Sequence, residues 1–311
     1  MIWSIYNEKL VRRGEIFVEQ YILGDWSKEL VTMNDGKVGK PFEYADTFMT
    51  LLAYIRYLFS LPYRQTEGFV RALSFHTRRK TPDYSIINRR INALKISIMA
   101  KRRRGKVTIA VDSTGIKVTN RGDWIRRKWN REKKKGYLKI HFAIDPKTKQ
   151  VISMDVTKEN VHDGTRLKKL VKKTSKNANI GKVIADGAYD SKDNFRFLSS
   201  NGIEPAIKVR KSASLHAHGC YARKIVTVKQ FEDFKAWKDS VSYGSRWIVE
   251  SVFSCMKRMF GEYVRAKKFP NMVREMVSRL ACITCWHQSS KAPDTVCLLF
   301  IDNYATEHMP R

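Results

Sequence analysis

Four side chains near the C-terminal end, Tyr243, Arg246, Glu250 and Lys257, follow the spacing Tyr-x2-Arg-x3-Glu-x6-Lys. Measured from Glu250 the others lie seven, four and seven residues away, which on an α-helix of ~3.6 residues per turn puts all four on one face. The stretch SRWIVESVFSCMKRMFG reads as that helix, with Ile248, Val249, Val252, Phe253, Met256 and Phe260 forming a separate apolar face. One face packs inward, and the other carries a carboxylate between two cations and a phenol, a set suited to a metal-bound phosphate and its strand. The plainer reading is a surface helix with an i,i+4 ion pair between Arg246 and Glu250.

Two more carboxylates stand upstream. The apolar, β-branched run Val107-Thr108-Ile109-Ala110-Val111 reads as a buried strand ending on Asp112. The run Lys182-Val183-Ile184-Ala185 reads as a second, ending on Asp186 and followed by Gly187-Ala188-Tyr189-Asp190. Either aspartate alone is as well explained by a turn or helix cap. In open α/β sheets, however, chemistry gathers at the carboxyl ends of strands. Two aspartates there, with a glutamate on a later helix, form a hard oxygen donor set for Mg2+. Two such ions can clamp the attacking and leaving oxygens of an in-line phosphoryl displacement. Asp190 competes with Asp186 for the second ligand position and ranks behind it.

In VDSTGIKV, IADGAYDS and YGSRWIVESVFSCMK, the chain resembles the DDE-type insertion-sequence transposases, and within them the branch bearing a Y-R-E-K signature (insertion-sequence families four and five). The resemblance runs roughly from residue 40 to 288. It implies an RNase H-like catalytic core in which Asp112, Asp186 and Glu250 ligate Mg2+, two ions with Mn2+ as a substitute, and catalyse cleavage and strand transfer at transposon ends. It also implies that Tyr243, Arg246 and Lys257 contact DNA near the cut, and that the protein works as a homodimer on DNA. A DNA-binding regulator that does not cut is the alternative from another class, and the three carboxylates amid so much positive charge argue against it. A plain RNase H-like nuclease stays open, because hydrolysis and strand transfer use one metal site.

Composition agrees with a nucleic-acid partner. The 311 residues carry 60 Lys+Arg against 30 Asp+Glu, a formal charge of +30, and such a surface attracts polyanions at long range. Hydrophobic content of 43% allows a sizeable core. Five cysteines suit a reducing compartment better than a disulfide framework. Cys282, Cys285 and His287 invite a zinc reading, but they lie in an apolar helical run without a second ligand pair, so buried thiols are the better reading. No signal peptide is visible, and no apolar run approaches the ~20 residues a membrane span needs. A cytoplasmic, nucleoid-associated protein without membrane contact is expected.

The expected fold class is α/β: an RNase H-like mixed sheet flanked by helices, preceded by an all-α, helix-turn-helix-like domain. Residues 1–100 form the helical DNA-recognition domain, 105–290 the catalytic domain with an insertion at about 210–241, and 291–311 a tail. In the first domain Thr47–Ser60 reads as an apolar helix that Leu61-Pro62 breaks, and Gln65–Leu73 as a short second helix. Thr81-Pro82-Asp83 opens a third, Tyr84–Leu94, with Thr81 or Asp83 as cap and Pro82 in the first turn. Arg89 and Arg90 on this basic last helix are candidate DNA readers. In the second domain, strands at 107–112, 137–144 and 150–156 read as an antiparallel set. A helix from Asp163, the strand to Asp186, a helix from Ser191 and a strand at Glu204–Val209 then alternate. Three basic runs stand out. Arg121–Lys135 interleaves Trp124 and Trp129 with cations, among them Arg126, Arg127 and Lys128, and Lys208–Lys229 holds six cations and no acids; both suit phosphate contact with base stacking. Arg166–Lys176 reads as a solvated helix face. Trp247, beside Arg246, is either core or a stacking platform, and core is the safer reading.

Overall fold

The computed structural model describes residues 26–77, 80–96, 98, 105–118, 136–216 and 219–289. Arg126, Arg127 and Lys128, and most of the 1–34 segment, lie outside them. The described residues form two compact units, one of 26–96 with 268–289, the other of 98–267.

The first unit is all-helical: α1 (Ser27–Asn34), α2 (Asp46–Leu58), α3 (Tyr63–Thr77), α4 (Tyr84–Ala93) and α10 (Phe269–Ser289). Helix α2 buries Phe48, Met49, Leu51, Leu52 and Ile55, and the chain leaves it through Ser60 at a φ of +56° just before Leu61-Pro62. Asp83 caps α4 by accepting from the backbone N–H of Ser85 at 2.7 Å and of Ile86 at 2.8 Å. Pro82 therefore precedes the cap instead of occupying the first turn. Helices α2, α3 and α4 pack on one another, and α10 packs on α2. The sequence reading placed 268–289 with the sheet. Here that stretch belongs with the N-terminal helices, because Met272, Met276, Leu280 and Ile283 are buried and Arg279 lies 6.0 Å from the Tyr57 ring, beside its buried ion pair with Glu275.

The second unit is a five-stranded sheet in the order β3-β2-β1-β4-β5. β1 (Lys106–Lys117) pairs antiparallel with β2 (Tyr137–Ile144), and β2 antiparallel with β3 (Val151–Lys158). β1 also pairs parallel with β4 (Asn179–Ala185), and β4 parallel with β5 (Glu204–Ile207). Three antiparallel strands followed by two parallel ones added through helical crossovers make this an RNase H-like α/β fold. The central strands are buried on both faces and read as continuous apolar runs; Ile109, Ala110, Val111, Val183, Ile184 and Ala185 are inaccessible.

Helix α5 (Leu167–Thr174) covers one face with Leu167, Leu170 and Val171, and α6 (Lys192–Ser200) follows β4. The basic run around α5 is less solvated than expected: Lys169, Lys173 and Arg166 converge on buried Asp155 at 2.8, 3.2 and 4.0 Å. The 210–241 insertion contains two helices, α7 (Tyr221–Glu232) and α8 (Phe234–Ser240). Helix α9 (Trp247–Phe260) covers the other face of β1 and stops at Gly261, whose φ of +79° favours glycine.

His141 on β2, opposite Ser113 of β1, is fully buried, with Nε2 3.0 Å from the Thr157 hydroxyl. Burial pulls its pKa from 6.5 down to about 4, against the opposing pull of Asp163 and Asp155. The unfolded chain thus takes up a proton near pH 6.5 that the folded chain refuses until about 4. The resulting stability is complete above pH 6.5 and is lost as pH falls through about 4. Denaturant melts between pH 7 and 4 should show this slope, and His141→Gln should flatten it.

Candidate active site

Asp112 does not end its strand. β1 runs on to Lys117, still paired with β2, and Asp112 lies opposite Phe142. What ends there is the parallel partner: the β1–β4 ladder stops at Val111 and Ala185. Asp112 is therefore the first β1 residue past the end of β4, and Asp186 is the first residue after β4. The two carboxylates emerge side by side because two parallel strands are in register, and the ladder to β2 keeps Asp112 on a rigid element.

Asp186 caps a single 3-10 turn, Gly187–Tyr189, accepting from the Ala188 N–H at 2.9 Å. Asp190 closes that turn and faces inward, its side chain fully buried against Arg223. A carboxylate held this way is not available as a ligand, so the geometry favours Asp186 over Asp190. Glu250 lies in the first turn of α9. The predicted apolar face, Ile248, Val249, Val252, Phe253, Met256 and Phe260, is buried, and Phe253 stacks on Phe142 with centroids 4.8 Å apart. Phe142 is the cross-strand neighbour of Asp112, so this stacking sets the distance between α9 and the strand bearing Asp112.

Arg246 joins the two elements. Its Nη1 donates to Asp112 Oδ2 at 2.6 Å and its Nη2 to Glu250 Oε1 at 2.7 Å. Asp112 is 15% exposed and Glu250 61%, so the aspartate is held in a pocket while the glutamate can turn. Burial pushes the Asp112 carboxyl up to about 6; the Ser113 N–H and Arg246 oppose the rise, and the charges of Asp186 and Glu250 add to it. Tyr243 is not on the α-helix itself. It opens a 3-10 turn, Tyr243–Arg246, entered from Ser242 at a φ of +55°. Its ring is buried against Trp237, 5.1 Å away, and burial pushes its phenol up to about 12.

A cleft of about 560 Å³ opens along α9, lined by Asp112 and Glu250 and by Thr114, Ser254, Lys257 and Arg258 among others. Sequence reasoning found Lys257 there and missed Ser254 and Arg258. Their spacing from Glu250, four and eight residues, was the available signal. Trp247 corrects the core reading: it is 48% exposed at the start of α9.

The donor set suits a hard divalent cation, since carboxylate oxygens are what Mg2+ prefers. Among the described residues no group of three or more His, Cys, Asp or Glu is already gathered around one point as a metal cage. The Arg246 guanidinium supplies the positive charge between Asp112 and Glu250 instead.

Two family matches cover this architecture. A transposase DDE domain family matches residues 103–285, and a second family with the same description, transposase DDE domain, matches residues 11–121. The chain belongs to the transposase DDE domain family. Solved structures it is similar to include the piggyBac transposase synaptic complex with hairpin DNA (10% identity, 94% of this chain and 81% of that one, TM-score 0.39). Another is the Drosophila P element transposase strand transfer complex (9% identity, 94% and 91%, TM-score 0.29). A third is the simian T-cell lymphotropic virus intasome in complex with the PP2A regulatory subunit B56 gamma (13% identity, 64% and 65%, TM-score 0.27).

In the helical unit of this transposase the two candidate readers differ. Arg89 is exposed on α4. Arg90 is committed within the unit, donating to Tyr44 O at 2.9 Å and Asp46 Oδ1 at 2.7 Å with its guanidinium 4.4 Å from the Phe42 ring. Cys282 is buried, and no described helix is long and apolar enough to cross a membrane. Because Arg246 holds the Asp112 carboxyl down, Arg246→Ala should move its titration above about 6. Carboxyl-carbon NMR of the aspartates in this transposase measures the shift.

Proposed function

We propose that this transposase cuts DNA at transposon ends and joins strands, and that it belongs to the Y-R-E-K branch. Asp112, Asp186 and Glu250 would hold Mg2+, two ions with Mn2+ as a substitute. Bound metal would supply activation of the attacking oxygen and neutralisation of negative charge on the phosphoryl and leaving oxygens. The observation that carries the reading is the convergence of two aspartates, emerging in register from neighbouring parallel strands, with Glu250 on the helix packed against the same strand.

The remaining work falls to the protein's own side chains. Asp112, on a strand paired along its length, supplies a fixed carboxylate; Glu250, largely exposed, supplies one that can turn. Arg246 keeps these carboxylates from repelling one another until a cation arrives, and its fork can then turn to a phosphate, for which guanidinium geometry is suited. Lys257 lines the cleft with Thr114 and Ser254, a position from which an ammonium and two hydroxyls can hold the backbone next to the cut. Tyr243, with its ring buried, orients Arg246. Trp247, exposed at the start of α9, is placed to stack on a base. The helical unit, through Arg89, supplies recognition of the terminal repeats, and the working assembly on DNA is a homodimer. The +30 charge supports DNA as the partner, in a cytoplasmic, nucleoid-associated setting.

Asp112→Asn, Asp186→Asn or Glu250→Gln should each abolish Mg2+-dependent cleavage of transposon-end DNA. Affinity for that DNA should be kept or strengthened, because negative charge is removed. Full cleavage by Asp186→Asn would refute the ligand set. An unchanged chain that nicks ends but never joins the 3′-hydroxyl to target DNA would be a nuclease of the same fold. Binding titrated against salt should give a log–log slope of magnitude about five or more, at ~0.9 per neutralised phosphate. A shallow slope would mean that most cations are engaged elsewhere.

A further inference from the structure

Asp186 and Asp190 stand at the two ends of one short turn. Asp190 receives a bidentate fork from Arg223 of α7, Nε to Oδ1 at 2.7 Å and Nη2 to Oδ2 at 2.8 Å, and a further N–H from Arg210 at 3.1 Å. The carboxylate is 0% exposed and Arg223 17%. A buried charge pair with this geometry is a fixed point, since removing one partner strands the other without solvent. The same helix makes a second attachment. Gln230 donates to Ile207 O at 2.9 Å and accepts from the Val209 N–H at 3.1 Å, binding α7 to the end of β5. The adjoining helix α8 makes a third, where Trp237, 3% exposed, lies 5.1 Å from the Tyr243 ring. The insertion is thus fastened at one end to the turn that follows Asp186 and at the other to the turn that delivers Arg246 and Glu250.

We infer that Arg223 is a positioning residue for the metal-binding loop: its fork on Asp190 sets the Gly187–Tyr189 turn and so the place of the Asp186 carboxylate. The insertion is, on this side, a brace between two parts of the active site. The sequence counts Arg223 in the basic run 208–229, with cations offered to DNA. Its guanidinium is instead consumed inside the protein.

This deepens the proposed reading of the site, and the test keeps the two apart. Arg223→Ala, Arg223→Lys and the uncharged pair Arg223→Gln with Asp190→Asn are compared with the unchanged chain in three measurements. These are amide hydrogen exchange, the Mg2+ concentration giving half-maximal end cleavage, and affinity for end DNA. In Arg223→Ala the amides of residues 187–190 should exchange at least tenfold faster. The Mg2+ requirement should rise at least fivefold while DNA affinity stays within twofold. Arg223→Lys, able to make one charge-assisted bond, should recover part of both losses. Unaltered exchange at 187–190 together with an unaltered Mg2+ requirement would overturn the inference. So would a fall in DNA affinity that matches the fall in cleavage, which would make Arg223 a DNA contact. If Arg223→Ala does not fold, Arg223→Lys and the uncharged pair answer the same questions. If the unchanged chain shows no Mg2+-dependent cleavage, the proposed function fails, and hydrogen exchange alone still decides what Arg223 does to the turn.

Discussion

The guanidinium of Arg246, bonded at once to Asp112 and Glu250, is the interaction on which the catalytic unit depends. Carboxylates brought to one end of a sheet repel one another, and Asp112, more buried than Glu250, is less able than it to shed that cost to water. A cation between two of them offsets the repulsion and ties α9 to the central strand. A site that holds Mg2+, as proposed for this one, would carry this problem whenever the metal is away, and a side chain that can exchange carboxylates for a phosphate is one physical solution to it.

That arrangement rests on apolar packing. The buried face of α9 lies against β1, and the Phe253–Phe142 stack stands directly behind Asp112. Because β1 continues past Asp112 along β2 and is joined at Lys117 by the chain returning from α9, through the Glu262 carbonyl at 2.8 Å and the Val264 N–H at 2.9 Å, the strand bearing Asp112 is held on both sides of the carboxylate. Glu250 lies on the open side, 61% exposed, where the surrounding packing constrains its side chain less than that of Asp112.

The positive charge of the chain is not one uniform coat. Lys169, Lys173 and Arg166 are spent on Asp155, Arg223 on Asp190, Arg90 on Asp46, and Arg246 on the site carboxylates. Arg223, Arg90 and Arg246 lie in runs or motifs that sequence alone would offer to DNA, whereas Lys169, Lys173 and Arg166 lie in one that reads as a solvated helix face. Acids are half as numerous as cations, and among the described residues the buried acids Asp155, Asp190 and Glu275 each have a basic partner.

Local pattern determined much of this protein. Alternation and apolar runs located four of the five strands within a few residues, the 3.6-residue period located the buried face of α9, and Asp83 was legible, beside Thr81, as a candidate cap because a carboxylate before a helix meets free N–H groups. The residues of the candidate site could be proposed from sequence, since their types and spacing are written in the chain. Which partner each one takes could not be. Asp186 and Asp190 are four residues apart and chemically alike, and only the fold leaves one capping its own turn, near enough to act on Asp112, and puts the other onto Arg223. Asp112 looked like a strand end because its apolar run stops there, yet the strand goes on because β2 continues to pair with it where β4 no longer does. The last helix reads as part of the sheet unit by sequence order, but its apolar side is buried among the N-terminal helices. Period and propensity act over a few neighbours, whereas the choice of partner for a charge, the end of a strand and the home of a helix are decided by groups tens to hundreds of residues away, which come into reach only when the chain has folded.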